Sequence, residues 1–178
     1  VQTCALPIFM RFYEFDRGQI LIDGQDIKDY SQEALRKSIG LVLQEPFLYH
    51  GTIASNIRMY HEELTDEEIR QAAAFVDVAD FIESLPGGYD HPVTERGSTL
   101  STGQRQLLAF ARTIAAQPKI LILDEATANI DQETEEMIQN SLKKMRQGRT
   151  TIAIAHRLST IQDADCIYVL DKGKIIES

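Results

Sequence analysis

Residues 119–131 read KILILDEATANID, and this segment is the strongest indication of fold class in the chain. Residues 120–123 form an unbroken apolar run, and Asp124 and Glu125 follow directly. Such a run bounded by acids is typical of a strand that is buried on both faces of a parallel sheet and carries polar groups at its carboxyl end. The segment predicts an α/β protein with a ligand site at that end. The two acids would also serve simply to end the strand, so the segment alone leaves the function open.

Strand and helix patterns alternate on both sides of this segment, as they do in α/β domains. Upstream, Asp23 and Gly24 mark a tight turn after a strand, and Ser31 marks the N-cap of a short helix. A second strand is predicted to end at Gln44. The remaining predicted elements are helices at 105–116 and 132–148 and strands at 150–156, 166–173 and 174–178.

The middle of the chain has a different pattern. From about residue 46 to residue 112 the strand signal disappears and helical patterns replace it. Thr65 and Glu68 have the spacing of a capping box at the start of one of these helices. We therefore predict a helical lobe that is inserted into the sheet domain.

Composition and charge argue against several classes of protein. With 178 residues the chain is long enough for one domain with a core. It has 18 basic and 27 acidic residues and a net charge of −9, so it lacks the positive field that holds proteins to nucleic acid. No apolar run approaches the roughly 20 residues of a spanning helix. Any membrane role has to come through another subunit or domain.

The cysteines indicate a reducing compartment. Cys4 and Cys166 are far apart in the sequence, and Cys166 stands in the apolar run CIYVL. We expect a buried core thiol there rather than half of a disulfide. The N-terminus also lacks the basic lead of a secretory signal.

Residues 100–104, LSTGQ, place Ser101 and Gly103 directly before a helix. Free N–H groups and the positive end of the helix dipole then converge beside a hydroxyl, which favours an anion. An ordinary serine cap has the same pattern. Gln44 and His156 each end a predicted strand, so we expect both near the sheet edge that carries Asp124. Each is an ordinary polar strand end by itself, and their significance lies in occurring together.

Taken in order, Gln44, the segment from LSTGQ to ANID at 100–131, and His156 resemble the nucleotide-binding domain of ABC transporters from about residue 10 to residue 178. EPFLYHGTIASNI at 45–57 and VTERGSTLS at 93–101 resemble the exporter-type branch. The resemblance implies a single domain over 1–178, with a P-loop NTPase-like, RecA-like α/β core, a parallel sheet and an inserted α-helical subdomain at about 46–112.

The resemblance also implies a site for ATP and Mg²⁺. In that family the residues at these positions have distinct roles: Asp124 and Gln44 hold Mg²⁺, Glu125 is the catalytic carboxylate, and His156 contacts the γ-phosphate. Further nucleotide contacts are implied for the signature motif and the D-loop, which are Ser101, Thr102, Gly103, Gln104 and Asp131.

Partners follow from the same resemblance. In the family, two nucleotide-binding domains pack head to tail, and the signature of one contacts the ATP held by the other. The implied partners are therefore a second nucleotide-binding domain and the transmembrane domain of an exporter, with no nucleic acid. The implied function is ATP hydrolysis that powers export, at the cytoplasmic face of the cell membrane.

The sequence departs from the family pattern in two places. A phosphate-binding P-loop, G-x-x-G-x-G-K-[ST], is absent from the 178 residues, and VQTCALPIF at 1–9 resembles no phosphate loop. We therefore expect a truncated or misjoined fragment with an atypical leader at 1–9 and no first strand, inactive toward MgATP and marginally stable alone. Thr102 stands where the common signature has Gly, and its side chain would crowd a close backbone approach.

Two other functions stay open at this point. A module without catalysis of its own would lend its signature to an intact partner, an alternative that the missing P-loop suggests. A soluble ABC-type ATPase of DNA repair or translation is the second alternative. Long coiled-coil insertions, zinc-binding cysteine clusters or a second cassette would mark such a protein, and the 178 residues contain none of these.

Overall fold

A computed structural model describes residues 8–124, 132–155 and 161–178, which form a mixed α/β fold. The strands are β1 (Leu21–Ile22), β2 (Gln25–Asp26), β3 (Ile39–Val42), β4 (Gly51–Thr52), β5 (Pro92–Val93), β6 (Ile120–Asp124), β7 (Thr150–Ile154), β8 (Val169–Asp171) and β9 (Lys174–Glu177). The α-helices are α1 (Gln32–Ser38), α2 (Ile53–Arg58), α3 (Asp66–Phe75), α4 (Ala79–Ser84), α5 (Thr102–Ala115) and α6 (Gln132–Arg146).

Three parallel strands form the central sheet in the order β3, β6, β7. β6 is the middle strand: Val42 of β3 pairs with Leu123, and Asp124 pairs with Ile154 of β7. The apolar run forms this strand because a strand covered on both faces needs apolar residues at successive positions. The predicted parallel sheet is confirmed. β3 ends at Val42, and Gln44 lies in a bend two residues later.

β6 separates two hydrophobic cores. Leu121 and Leu123 lie in the larger core, to which α2 to α6 contribute, whereas Ile122 lies in a smaller core with Leu35 and Ile39. This division follows from the strand geometry, since successive side chains point to opposite faces. Full burial of each such side chain contributes about 1.5–3 kcal/mol. β6 therefore holds the two halves of the domain together.

The hairpin and the helix predicted before β3 are both present. β1 and β2 pair antiparallel, and Asp23 and Gly24 between them have φ values of 50° and 83°. Two successive residues with positive φ are what a tight two-residue hairpin turn requires. Ser31 caps α1 as predicted, because its hydroxyl accepts a hydrogen bond from the Ala34 N–H.

The lobe between β3 and β6 is mainly helical. α2, α3 and α4 lie in it, together with the short antiparallel pair β4–β5, which the sequence patterns did not reveal. The Thr65–Glu68 capping box is confirmed: Glu68 N–H donates to Thr65 Oγ1, and Thr65 N–H donates to Glu68 Oε2 at 2.8 Å. α5 runs through residue 112 to Ala115 and packs against α2, α3, α6 and β3. It therefore joins the lobe to the sheet.

The last helix follows the predicted pattern. α6 ends at Arg146 with basic residues in its final turn, and Gly148 beyond it has a φ of 70°. Glycine is favoured at this left-handed position after a helix. In the described part of the chain, no helix has both the length and the apolar character that crossing a membrane requires.

β8 and β9 form an antiparallel hairpin whose apolar side chains are exposed, among them Leu170, Ile175 and Ile176. Cys166, just before this hairpin, is exposed as well, so the expectation of a buried core thiol is wrong. The apolar run CIYVL suggested burial, but an apolar face is buried only where another layer covers it. The described residues leave this face uncovered.

Gly40 in β3 marks a close approach between the sheet and the end of α5. A Cβ at residue 40 would lie 2.7 Å from Cγ of Pro118 and 2.7 Å from Cγ2 of Thr113. We predict that Gly40→Ala lowers the free energy of unfolding by about 1–3 kcal/mol, the usual cost of overpacking. Urea denaturation measures this. Thr113→Ser removes one of the two obstructing carbons and should recover part of the loss in the double variant; an unchanged midpoint for Gly40→Ala would contradict the close packing.

Candidate functional site

The carboxyl ends of the three parallel strands lie at one edge of the sheet. The register aligns Val42 with Leu123 and Asp124 with Ile154. Asp124 is half-buried at this edge, and Gln44, two residues beyond Val42, is exposed. His156 follows Ile154 by two residues and lies outside the described residues. The pairing of β3 with β6 therefore places the segment that leads to Gln44 beside Asp124. β7 ends at the same edge of the sheet.

The carboxylate at this edge makes it a candidate site for a hard cation. Asp124 offers a carboxylate, the kind of ligand that Mg²⁺ prefers. Glu125 and Asp131 belong to residues 125–131, outside the described residues. Within the part that the structure describes, no three His, Cys, Asp or Glu side chains are grouped to hold a metal ion. A cation at Asp124 would therefore need oxygen ligands from water or from a bound phosphate, the usual arrangement for Mg²⁺.

A capping box forms the N-terminus of α5. Ser101 Oγ accepts from the Gln104 N–H at 3.1 Å, and Gln104 Oε1 accepts from the Ser101 N–H at 2.9 Å. The N–H groups of Thr102 and Gly103 lie in the first turn, where a helix offers them no acceptor. The Ser101 hydroxyl accepts one bond and keeps its own proton for donation. The turn therefore has the donors of an anion site as well as an ordinary cap.

Arg105 fixes the side chain of Thr102. Its Nη2 donates to Thr102 Oγ1 at 3.1 Å, and its Nη1 donates to the carbonyl oxygen of Leu100 at 2.6 Å. The threonine hydroxyl is therefore held on the Arg105 side of the turn. The guanidinium also adds positive charge beside the first turn, which favours an anion there.

Two linked polar residues, the buried Asn56 and the half-buried Arg112, were not singled out by any motif. The side chain of Asn56 is 2% exposed, and Arg112 donates to the carbonyl oxygens of Asn56 and Phe47. Burial lowers the pKa of the Arg112 guanidinium. The sequence carried one signal of this arrangement, an arginine inside the otherwise mostly apolar run LLAFARTIAA, which has to find polar partners in the interior.

A groove of about 150 Å³ opens between α1, β3, the end of α2 and α5. Its polar lining is largely basic, with Arg36, Lys37, His61 and Arg112. Tyr60 on its rim is 81% exposed. The rings of Phe47 and Tyr49 are also exposed, and they contact each other edge to face with 4.8 Å between the ring centroids. We call Phe47, Tyr49 and Tyr60 the aromatic surface. A group of exposed aromatic side chains commonly marks a surface that another chain covers.

Comparison with known proteins identifies the family to which these features point. The sequence model described as ABC transporter matches residues 2–128. A Streptococcus pneumoniae serotype 4 protein that carries the name ABC transporter ATP-binding protein exp8 is 75% identical over 177 residues, which is 99% of this chain and 30% of that protein. The fatty acid ABC transporter ATP-binding/permease protein of Mycobacterium bovis is 47% identical over 99% of this chain and 28% of its own length.

A solved structure agrees with the fold. The chain is similar to a bacterial Atm1-family ABC exporter with ATP bound, with a TM-score of 0.89 and 44% identity over 99% of this chain and 31% of that one. This similarity confirms the predicted fold class, a P-loop NTPase-like α/β core with an inserted helical subdomain. The chain spans about 30% of the length of the proteins that it matches.

The capping box at α5 predicts different effects for two substitutions of Ser101. Ser101→Ala removes the acceptor for the Gln104 N–H, so the free energy of unfolding should fall by about 1 kcal/mol. Ser101→Asp keeps an acceptor at the N-cap and should stay within about 0.5 kcal/mol of the wild type, while placing a negative charge where an anion would bind. Urea denaturation followed by circular dichroism measures both. Equal stability of Ser101→Ala and the wild type would argue against this cap.

Proposed function

The chain belongs to the ABC transporter family of ATPases, and we propose that the complete protein carrying it is an exporter that couples ATP hydrolysis to transport. In this proposal these residues form part of one ATP-binding domain. The observation that carries the proposal is the register of β3, β6 and β7, which ends three parallel strands at one edge, with Asp124 at the end of β6. In the sequence, Gln44 follows the end of β3 by two residues and His156 follows the end of β7 by two residues. Ligands of open α/β sheets bind at this edge.

We assign the sheet edge to MgATP. Asp124 fits a Mg²⁺ ligand by its donor type and its half-buried position, and Gln44 supplies an amide oxygen as a second ligand. When bound, Mg²⁺ neutralises charge on the phosphate oxygens. The loop that cradles phosphates in this family is absent from the 178 residues. In this proposal the 178 residues therefore supply the Mg²⁺ ligands Asp124 and Gln44.

The hydrolytic step is assigned to two residues that follow β6 and β7 in the sequence. Glu125 orients the attacking water or accepts its proton, and His156 donates a hydrogen bond to the γ-phosphate as charge develops there. Their motif positions, directly after β6 and two residues after β7, support these roles. Phosphoryl transfer depends mostly on positioning and electrostatic stabilisation, which such side chains supply.

The N-terminus of α5 is assigned to the nucleotide of a second ATP-binding domain that packs head to tail with this one. The donors of Ser101, Thr102 and Gly103 in the first turn, together with the positive helix end, support this role. Gln104 holds the turn through the capping box, and Asp131 belongs to the same contact by its motif position. Because Arg105 holds the Thr102 hydroxyl, the branched side chain is accommodated without occupying the N–H groups.

The transmembrane part of the exporter is the proposed partner of the aromatic surface and its groove. Exposed rings beside a basic groove suit a helical segment with apolar and acidic side chains, because apolar burial supplies affinity and charge complementarity supplies specificity. Docking of this kind would locate the domain at the cytoplasmic face of the membrane.

We predict that Glu125→Gln in the complete protein lowers kcat for ATP hydrolysis by at least about 100-fold, because a positioned general base contributes about 10²–10⁴-fold. ATP binding should persist, since the amide keeps the volume of the side chain. Phosphate release from the purified protein in lipid nanodiscs measures hydrolysis, and a fluorescent ATP analogue measures binding. Glu136→Gln makes the same chemical change at an exposed position of α6 and should hydrolyse ATP at the wild-type rate.

The outcomes separate the parts of the proposal. A complete wild-type protein that hydrolyses no ATP in nanodiscs would refute the exporter function. Full turnover in Glu125→Gln would leave that function standing and would remove Glu125 from its assigned role.

A further inference from the structure

Arg112 connects the helix that begins at the signature to the segment that follows Gln44. It lies on α5, eleven residues after Ser101, which corresponds to about 16 Å along the helix axis. Its Nε donates to the Asn56 carbonyl oxygen at 2.7 Å, its Nη2 to Asn56 Oδ1 at 3.2 Å, and its Nη1 to the Phe47 carbonyl oxygen at 2.9 Å. Three bonds from one planar group fix the guanidinium in a single orientation.

Asn56 extends this contact to the same segment. Its Oδ1 accepts from the Tyr49 N–H at 2.8 Å, and its Nδ2 donates to the carbonyl oxygens of Tyr49 at 2.8 Å and Thr52 at 3.0 Å. Because Asn56 is almost fully buried, these bonds are shielded from water. The buried Asn56 and the half-buried Arg112 therefore hold the backbone of residues 47–49, while the rings of Phe47 and Tyr49 are exposed.

Placing the charge of Arg112 at this position costs free energy of desolvation. Among the described residues its hydrogen bonds go to neutral carbonyl and amide oxygens, and the Tyr49 ring at 5.9 Å adds only a weak cation–π contact. Arg112 is half-buried, and a charge that is partly removed from water without a counter-charge carries a desolvation cost that an apolar residue of similar volume avoids. What an apolar residue cannot supply is a directional link to two backbone carbonyls.

We propose that Arg112 and Asn56 are positioning residues that couple α5 to residues 47–49. A displacement of the Ser101 end of α5 when the signature contacts nucleotide is carried along the helix and passed through Arg112 and Asn56 to the aromatic surface. The inference rests on the proposed function, because it takes nucleotide at the signature and a transmembrane partner at the aromatic surface as given. It adds the physical connection between the two.

A second arginine, Arg149, provides a control that distinguishes coupling from a purely structural role. Arg149 also donates to backbone carbonyl oxygens, of Pro118 at 3.0 Å and of Met145 at 2.8 Å. Those contacts join the end of α6 to the chain before β6, away from residues 47–49 in the sequence. Arg149→Gln is therefore a matched control for the loss of a guanidinium that binds carbonyl oxygens.

The test is hydrogen exchange of the complete protein in nanodiscs, with and without MgATP and vanadate. In the wild type, nucleotide should change the exchange of peptides covering 100–105 and 45–52, since the Tyr49 N–H is one of the bonded groups. Arg112→Gln should keep the change at 100–105 and lose it at 45–52. Asn56→Ala should do the same, and Arg149→Gln should keep both changes.

Kinetics gives an independent measurement. Because coupling residues modulate a response by roughly 2- to 30-fold, we expect Arg112→Gln to lower kcat for ATP hydrolysis about fivefold while KM for ATP stays within about twofold. Arg112→Lys keeps the charge but replaces the planar fork by a point donor, so it should recover part of the lost response.

Each outcome decides between the possibilities. A wild-type nucleotide response at 45–52 in Arg112→Gln overturns the inference while leaving the proposed function intact. Loss of that response in Arg149→Gln as well overturns it in favour of general destabilisation. Absence of any nucleotide response at 100–105 in the wild type would refute the proposed function, and the inference with it.

Discussion

The burial of β6 on both faces is the constraint on which the rest of the structure depends. Leu121 and Leu123 are committed to one core and Ile122 to the other, so both faces of the strand are covered. β3 and β7 pair with it in parallel, and parallel strands end at the same edge. Core formation therefore also determines where the chain emerges at Gln44 and Asp124.

The parts of the fold that could be predicted from sequence are those encoded locally. The capping box at Thr65, the serine cap at Ser101, the turn at Asp23 and Gly24, and the apolar run of β6 each depend on residues within four positions of one another. The common strand edge was also predictable, because it follows from parallel pairing once the strands are known. The family resemblance added residue roles that local patterns do not contain.

The parts that could not be predicted depend on contacts between distant residues. Arg112 lies 56 positions from Asn56 and 65 from Phe47, and nothing in either local sequence specifies the partner. The two-residue strands β4 and β5 are too short to show an alternating pattern. The exposure of Cys166 depends on which layer covers the last hairpin, a property of the whole assembly rather than of the run CIYVL.

Two helices, α5 and α6, attach the lobe to the rest of the domain. α5 is a continuous helix of 14 residues with an arginine fastening each half, Arg105 to the turn at Leu100 and Arg112 to Asn56. α6 contacts the lobe through a buried bond from Ser141 Oγ to the Val76 carbonyl oxygen and an ion pair between Lys144 and Asp77. Both charged side chains of that pair are more than 40% exposed, so the pair contributes about 0–1 kcal/mol. The ion pair can therefore be lost at little cost, whereas the buried Ser141 bond and the core side chains of Ile138, Leu142 and Met145 hold α6 to the lobe. A displacement of the lobe would therefore involve α6 as well as the helix that begins at Ser101.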